Sequence, residues 1–414
     1  MQSWKQLPEP IRQYGIVTGN YWAFTLTDGA LRMLVVLHFH DLGYSPLQIA
    51  MLFLFYEIFG VVTNLIGGWL GARLGLNRTM NIGLGLQIIA LSMLLVPVSA
   101  LSVAWVMAAQ ALSGIAKDLN KMSAKSSIKL LVPDGDHGRL YTWVALLTGS
   151  KNTLKGVGFF LGGALLSLVG FRGAMLIMAA ALAVVWIVSL MTLGRDLGKA
   201  RDKPPFTAMF SKSPTINILS AARLFLFGAR DVWFVVALPV YLSLTLGWDH
   251  WTVGGYLALW VIGYGLVQTI APRLTGRSTA NRTDGQGAFF WAALLALVPA
   301  GIALAIGADI QTEYTLVLGL LVFGVLFAIN SSLHSFLIVK SAKRDGVSLD
   351  VGFYYMANAM GRLVGTVLSG WLYQRDGLTA CLWVSAFFIA LSAIIVARLP
   401  EPVPAQGSPQ RSSD

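Results

Sequence analysis

The chain is 414 residues long, and 56% of its residues are hydrophobic whereas only 12% are charged. Soluble domains carry about 25% charged residues, so this composition excludes an ordinary soluble protein. A net charge of +11 is common among nucleic-acid-binding proteins, but no polar segment is long enough to form such a domain, and we expect no nucleic-acid partner. The single cysteine, Cys381, excludes an intramolecular disulfide and a thiolate metal cluster.

Apolar stretches of roughly 20 residues, the length that crosses about 30 Å of hydrocarbon, run through almost the whole chain. They predict an all-α membrane protein with twelve transmembrane helices, and the even number places both termini on one side. The polar N-terminus leads into a full-length span, so we expect no cleaved signal peptide. The predicted spans cover residues 15–39, 46–70, 79–98, 102–124, 140–168, 172–193, 215–246, 252–271, 288–307, 314–338, 349–372 and 378–398.

Lysine and arginine residues concentrate in the loops on one side of these spans. Because such loops stay in the cytoplasm, the distribution predicts cytoplasmic termini in the inner (plasma) membrane. The loops on the opposite side contain only two basic residues, Arg172 and Arg375. The basic residues on the predicted cytoplasmic side are Lys5, Arg12, Arg73, Arg78, Lys125, Lys129, Arg139, Arg195, Lys199, Arg201, Lys203, Lys212, Arg273, Arg277, Arg282, Lys340, Lys343 and Arg344.

A weak internal repeat divides the chain into two halves. Leu42-Gly43-Tyr44 follows the first span and Leu246-Gly247-Trp248 follows the seventh, at an offset of 204 residues. Two parallel six-helix halves resemble the architecture of the major facilitator superfamily. The predicted units are a first six-helix bundle (1–193), a cytoplasmic linker (194–214), a second six-helix bundle (215–398) and a disordered cytoplasmic tail (399–414).

The loop between the second and third spans strengthens this resemblance. The segment from Gly68 to Arg78 resembles the superfamily's signature, in which glycines allow close helix packing and basic residues mark the cytoplasmic side. Ala72 stands where the signature usually has an acid, so we do not expect a charge latch there. The alternative is a basic inside loop whose glycines occur by chance.

Ionisable side chains near the middle of a span are costly unless they face a cavity or a partner. The sequence places seven cations and four acids at such positions. This surplus of positive charge is what a cavity for an anion with several charges needs. The cations are Arg32, Lys117, Lys151, Lys155, Arg223, Arg230 and Arg362, and the acids are Asp28, Glu57, Asp118 and Asp231.

The most informative pair is Lys151 and Lys155, which lie four residues apart in a span without an acid, so a bound anion would relieve their repulsion. A lysine stripe in the fourth span would draw anions inward. Its two outer members, Lys125 and Lys129, are interpreted as cytoplasmic anchors. The predicted substrate-binding residues are Arg32, Lys117, Lys121, Lys151, Asn152, Lys155, Arg230 and Arg362.

Several mid-span groups leave two interpretations open. Asp28 and Arg32 share a helix face and either pair together or act separately. Glu57 is either a proton-exchange site or a partner of Arg32. Adjacent side chains on a helix point about 100° apart, so Arg230 and Asp231 are expected to have separate roles. His334 is expected to make a helix-packing hydrogen bond. The candidates for proton coupling or counter-ion roles are Asp28, Glu57 and Asp231.

Two segments resemble a particular branch of the superfamily. Residues Val17–His40 and Ser113–Pro133 resemble the ArsJ-type organoarsenical efflux permeases, and the resemblance runs nearly end to end. It implies export of 1-arseno-3-phosphoglycerate, which glyceraldehyde-3-phosphate dehydrogenase makes when arsenate replaces phosphate. That dehydrogenase would be a metabolic partner, and arsenate would be released outside after hydrolysis. The resemblance implies no particular binding residues.

Other functions are compatible with the same pattern of charges. The first alternative is a transporter of another organic phosphate or a dicarboxylate, and the second is a membrane sensor that does not transport. A membrane enzyme is disfavoured because we find no metal-ligand set, nucleophile motif or phosphate-binding glycine loop, and we expect no cofactor or metal. The single cysteine argues against export of thiol-seeking trivalent arsenic.

Overall fold

The computed structural model describes residues 6–44, 52–194, 197–210, 213–275 and 284–400. Within these ranges the secondary structure is helical, and no β-strand occurs. Their packing forms a bundle in which some neighbours run parallel: contacts between α1 and α5 advance in both helices from Tyr14–Trp143 to Trp22–Ser150. The helices are α1 (Glu9–Asp41), α2 (Leu54–Leu74), α3 (Leu76–Met93), α4 (Val103–Leu131), α5 (His137–Thr192), α6 (Pro214–Phe234), α7 (Ala237–Leu244), α8 (His250–Leu274), α9 (Asp284–Gly307), α10 (Thr312–Ser341) and α11 (Val347–Val396).

Two of these helices are each two membrane spans joined at a glycine. The backbone leaves helical geometry at Gly170 in α5 (φ 69°) and at Gly377 in α11 (φ 77°). A positive φ is a conformation that glycine adopts without a steric penalty. Six helical segments of the described residues are long and apolar enough to cross a membrane, and α5 and α11 are among them. With their limbs counted separately, and α6 and α7 taken as one interrupted span, the described helices give the predicted twelve.

The boundaries of the spans agree with hydropathy to within a few residues in most cases. The largest difference on described residues is at α4, which continues to Leu131 although its apolar stretch was predicted to end at 124. Polar residues in this last part are buried against the rest of the protein, so packing extends the helix beyond its apolar stretch. The predicted start of the second span, at 46, falls outside the described residues.

The two halves pack together at the end of the bundle where α1 begins and α11 ends, which we call the closed end. One buried cluster there contains residues of both halves, including Tyr141 of α5 and Phe336 of α10, whose rings stack with centroids 4.7 Å apart. The other two clusters each draw on one half alone, over residues 30–179 and 226–393. The halves are therefore joined at the closed end and have separate cores beyond it.

Glycines allow the halves to approach each other at backbone distance. A methyl group on Gly68 of α2 would lie 2.5 Å from the carbonyl oxygen of Ser348 in α11, and Gly352 lies in the same contact. In the second contact, a methyl group on Gly265 of α8 would lie 2.5 Å from the backbone nitrogen of Thr153 in α5. The interpretation of the signature glycine as a packing residue is confirmed at Gly68.

We expect Gly68→Ala to open the closed end, because the added methyl group meets backbone atoms that cannot move aside independently. The measurement is the rate at which a thiol reagent labels Ser335→Cys, a buried position of the closed end, in a Cys381→Ala background. Labelling should accelerate in Gly68→Ala and stay unchanged in the control Gly370→Ala, where a methyl group meets nothing within 4 Å. Equal rates in both would contradict the role of this contact.

The linker between the halves, described over 197–210, is attached to the turn between α2 and α3. The backbone nitrogen of Leu76 donates to the carbonyl oxygen of Leu197 at 2.7 Å, and that of Ala200 donates to Ala72 at 2.8 Å. Its Arg201 nitrogen also donates to a carboxylate oxygen of Asp345 in the other half. The predicted linker therefore lies across the closed end. The predicted tail falls outside the described residues from 401 onward.

Candidate functional site

A chain of ion pairs crosses the middle of the bundle and joins the two halves. Arg32 of α1 and Glu57 of α2 pair at 2.8 Å, and Arg362 of α11 approaches the same Glu57 oxygen at 3.5 Å. These three side chains are 24%, 32% and 29% exposed. Charged groups at this depth that remain partly exposed indicate a polar opening between the halves. The interpretation of Glu57 as a partner of Arg32 agrees with this geometry.

The chain of ion pairs continues into the second half through Asp231 of α6. This carboxylate is fully buried and receives Arg362 Nε at 2.9 Å and Arg230 Nη2 at 2.5 Å. The expectation that Arg230 and Asp231 have separate roles is therefore wrong. The arginine side chain is long enough to fold back over the helix to its neighbour, which the 100° between adjacent positions does not prevent.

Tyr56 of α2 organises a second group of charges in the first half. Its hydroxyl donates to Asp28 Oδ1 at 2.6 Å. Its ring lies between Arg32, 4.3 Å from the centroid, and Lys117, whose Nζ is 3.7 Å away. Asp28 and Arg32 therefore have separate partners: Tyr56 donates to Asp28, and Arg32 donates to Glu57. Of the two interpretations of this pair, the structure agrees with the one in which they act separately. An aromatic face beside two cations stabilises them without neutralising their charge.

The inner part of the lysine stripe is paired with an acid of its own helix. Lys121 Nζ contacts Asp118 Oδ1 at 2.5 Å, and Lys117 Nζ lies 3.8 Å from Oδ2. Asp118 is buried, whereas both lysine side chains are 14% exposed. Lys121 also lies 4.9 Å from the ring of Tyr355 in α11. One carboxylate thus serves two lysines, and the stripe keeps a net positive charge.

Lys151 and Lys155 of α5 have no acid at ion-pair distance in the described part of the chain. Lys151 Nζ donates to Asn152 Oδ1 at 3.3 Å, and Asn152 in turn donates to Gln268 of the other half at 2.5 Å. Lys155 makes neither a hydrogen bond nor an ion pair among these residues, and it lies within electrostatic range of Arg32. These two lysines therefore lie at the centre of the protein without a direct acid partner among the described residues, and Asp28 is the acid within electrostatic range of both.

Lys125 is not the cytoplasmic anchor that the sequence suggested. It is 3% exposed, and its Nζ donates to the hydroxyl of Tyr355 at 2.5 Å. The prediction is wrong because the second half covers the end of α4, which hydropathy alone does not show. Lys129, the next lysine along, donates to the carbonyl oxygen of Lys340 at 2.6 Å and stands at the rim of the same interface.

Arg223 of α6 is a buried cation whose hydrogen-bond acceptors among the described residues are all neutral. Its guanidinium donates to Asn358 Oδ1 at 2.9 Å and to the carbonyl oxygen of Ser331 at 3.1 Å, and it stacks on Phe227. The sequence marks it as a mid-span cation but gives no reason to prefer it as a site residue. His334, expected to make a packing hydrogen bond, has no partner at either ring nitrogen among the described residues.

A comparison of the sequence with known families agrees with the two-half architecture and the central charges. The Major Facilitator Superfamily matches residues 17–349. The chain belongs to this superfamily. It is therefore a multi-pass membrane protein of a transporter fold, and the family implies transport of a small solute rather than catalysis.

Solved structures with the same fold share little sequence with the chain. The human organic anion transporter MFSD10 (TETRAN) is 16% identical, with a TM-score of 0.71 over 94% of this chain and 100% of that one. The E. coli fucose:proton symporter FucP is 11% identical, with a TM-score of 0.72 over 95% and 100%. The proton:xylose symporter XylE is 13% identical, with a TM-score of 0.72 over 94% and 96%. A search of the curated proteins found no match.

Proposed function

We propose that this superfamily member exports an organic anion with several charges, 1-arseno-3-phosphoglycerate, and so confers resistance to arsenate. The observation that carries the proposal is the pair Lys151 and Lys155, which has no acid at ion-pair distance among the described residues, beside the partly exposed guanidiniums of Arg32 and Arg362. Charge-assisted hydrogen bonds to phosphate-like oxygens are among the strongest that side chains make. An anion with two charged ends would supply the missing negative charge.

The identity of the substrate rests on the sequence resemblance, and the chemistry of the central residues is compatible with it. A phosphate, an acyl-arsenate and a hydroxyl group present many oxygens, which suit Lys and Arg together with Asn152. Another organic phosphate or a dicarboxylate would find the same cations. The metabolic partner would be glyceraldehyde-3-phosphate dehydrogenase, which supplies the substrate inside the cell.

The proposed export is compatible with the loop charges and the closed end. If the termini are cytoplasmic, the structure is closed toward the cytosol, and the central cations are reachable from outside. Substrate would be released in this arrangement and would bind when the closed end opens. The halves would exchange between the two arrangements around the fixed central charges.

We expect the linker and both termini to be cytoplasmic, because the basic loops lie on that side. Fusions of alkaline phosphatase and of a fluorescent cytoplasmic reporter after Thr207, in the described linker, test this. The cytoplasmic reporter should be active and the phosphatase inactive, and fusions after Gly247 should give the reverse. A phosphatase signal at Thr207 would overturn both the topology and the direction of transport.

Glu57 is proposed as a counter-ion of the central arginines, with proton exchange as the alternative role. Its oxygen contacts both Arg32 and Arg362, and substrate oxygens would compete for the same guanidiniums. We expect the export rate in vesicles to be insensitive to an imposed pH gradient in wild type and in Glu57→Gln. A rate that rises with the gradient in wild type but not in Glu57→Gln would assign proton exchange to this carboxylate.

Arsenate tolerance of a sensitive bacterial strain tests the proposed substrate in cells. Expression of the chain should raise tolerance only when glyceraldehyde-3-phosphate dehydrogenase is co-produced at a high level, because the enzyme makes the exported compound. A catalytically inactive dehydrogenase is the matched control. Tolerance that is equal with the active and inactive enzyme, or absent with both, would contradict 1-arseno-3-phosphoglycerate as the substrate and favour another organic anion.

A further inference from the structure

Lys125 and Arg223 form a pair of buried cations between the halves, on the closed side of the central charges. Lys125 of α4 is 3% exposed and Arg223 of α6 is 2% exposed, and each lies within electrostatic range of the other. Lys125 comes eight residues after Lys117, and Arg223 comes seven before Arg230. At 1.5 Å per residue, both are displaced by about 11 Å toward the closed end.

The hydrogen-bond partners of these two cations are all neutral. Lys125 donates to the hydroxyl of Tyr355, and Arg223 donates to Asn358, to the carbonyl oxygen of Ser331 and, at 3.5 Å, to the hydroxyl of Ser335. No carboxylate of the described residues lies at ion-pair distance from either. Two like charges buried together repel each other, and an anion bound between them would stabilise both.

Two buried polar side chains without hydrogen-bond partners lie near Arg223. Both ring nitrogens of His334 and the hydroxyl of Tyr354 are buried and make no hydrogen bond among the described residues. Tyr354 has its ring 5.3 Å from the Arg223 guanidinium. Buried polar groups normally have partners, and each of these groups can donate to an anion's oxygen. These groups could therefore donate to the same anion as the two cations.

We propose that Lys125 and Arg223, together with Tyr355, form a second anion subsite that binds one charged end of a two-ended substrate while Lys151 and Lys155 bind the other. The subsite rests on the proposed function, because it assumes that the substrate is an anion. The two regions adjoin, since Lys151 lies within electrostatic range of both Lys121 and Lys125. Selection for anions charged at both ends follows from this arrangement.

Calorimetric binding to the purified full-length protein tests the subsite with two stable probes. 3-Phosphoglycerate carries an anionic group at each end, whereas glycerol 3-phosphate carries one. Lys125→Met should weaken binding of 3-phosphoglycerate by about ten- to a hundredfold, the loss of one charge-assisted hydrogen bond, and change binding of glycerol 3-phosphate less than threefold. Lys129→Gln, one turn further along α4, is the matched control and should change neither.

A measurement without ligand separates a binding role from a structural one. Because Lys125 is an unbalanced buried charge, Lys125→Met should keep or raise the melting temperature of the ligand-free protein. Arg223→Gln provides the second variant. Like Lys125→Met, it should weaken binding of 3-phosphoglycerate much more than binding of glycerol 3-phosphate. Unchanged binding of 3-phosphoglycerate in both variants, equal weakening of both probes, or a lowered melting temperature with unchanged selectivity would overturn the subsite. If wild type binds neither probe, the proposed anion transport fails first, and the subsite fails with it.

Discussion

Lys155→Gln should lower affinity for the transported anion by about ten- to a hundredfold while leaving the protein folded and inserted. The side chain makes no hydrogen bond or ion pair with the described residues, so glutamine breaks no polar contact with them. What is lost is one charge-assisted hydrogen bond to the anion, worth about 1.5 to 3 kcal/mol. The measurement is binding of 3-phosphoglycerate to the purified protein.

The control for this variant is Lys343→Gln, an exposed lysine outside the central region. It should bind the probe as wild type does, and both variants should be produced in equal amounts. If Lys155→Gln retained full affinity and full arsenate tolerance, Lys155 would have a structural role, and the proposed site would have to be assigned to the arginines instead.

Asp231→Asn should destabilise the protein by about 3 to 5 kcal/mol, the cost of removing a fully buried carboxylate from its ion pairs. Asp231 pairs with both Arg230 and Arg362. Arg362 would keep Glu57 at 3.5 Å, whereas Arg230 has no other acid at ion-pair distance among the described residues. The measurement is the free energy of unfolding in detergent. This is the largest stability effect that we expect from a single charge in the protein.

The control for Asp231→Asn is Asp376→Asn. Its carboxylate is 50% exposed and pairs with Arg375, which is 66% exposed, so its removal should cost less than about 1 kcal/mol. The double variant Asp231→Asn with Arg230→Gln should recover part of the lost stability, since it removes one unpaired cation. Equal losses for Asp231→Asn and Asp376→Asn would contradict the assignment of Asp231 as the buried counter-ion.

Hydropathy alone predicts most of the fold, because each span must satisfy the same hydrocarbon thickness whatever it packs against. The end of α4 is the exception. Its polar residues from Ser123 to Ser127 do not look like a membrane span, yet they are buried, and Lys125 packs against Tyr355 of the second half. Sequence hydropathy contains no information about that partner, so both the helix end and the burial of Lys125 were missed.

The same distinction applies to the charges. The absence of an acid near Lys151 and Lys155 could be predicted, because the nearest residues along a helix are known from the sequence. The partners of Glu57 and Asp231 could be predicted only in part, since Arg362 reaches both from a helix near the other end of the chain. The contact between Arg230 and Asp231 depends on a side-chain rotamer, which helical geometry does not determine.

Uptake of arsenic by inverted membrane vesicles tests the central claim most directly. The vesicles contain the chain and are supplied with glyceraldehyde-3-phosphate dehydrogenase and its reaction mixture. We expect arsenic to accumulate inside only when both arsenate and glyceraldehyde 3-phosphate are present. At limiting substrate, the rate of arsenic uptake should be lower by tenfold or more in Lys155→Gln than in wild type. Uptake that does not require glyceraldehyde 3-phosphate, or that equals the uptake of vesicles without the chain, would contradict the proposed function.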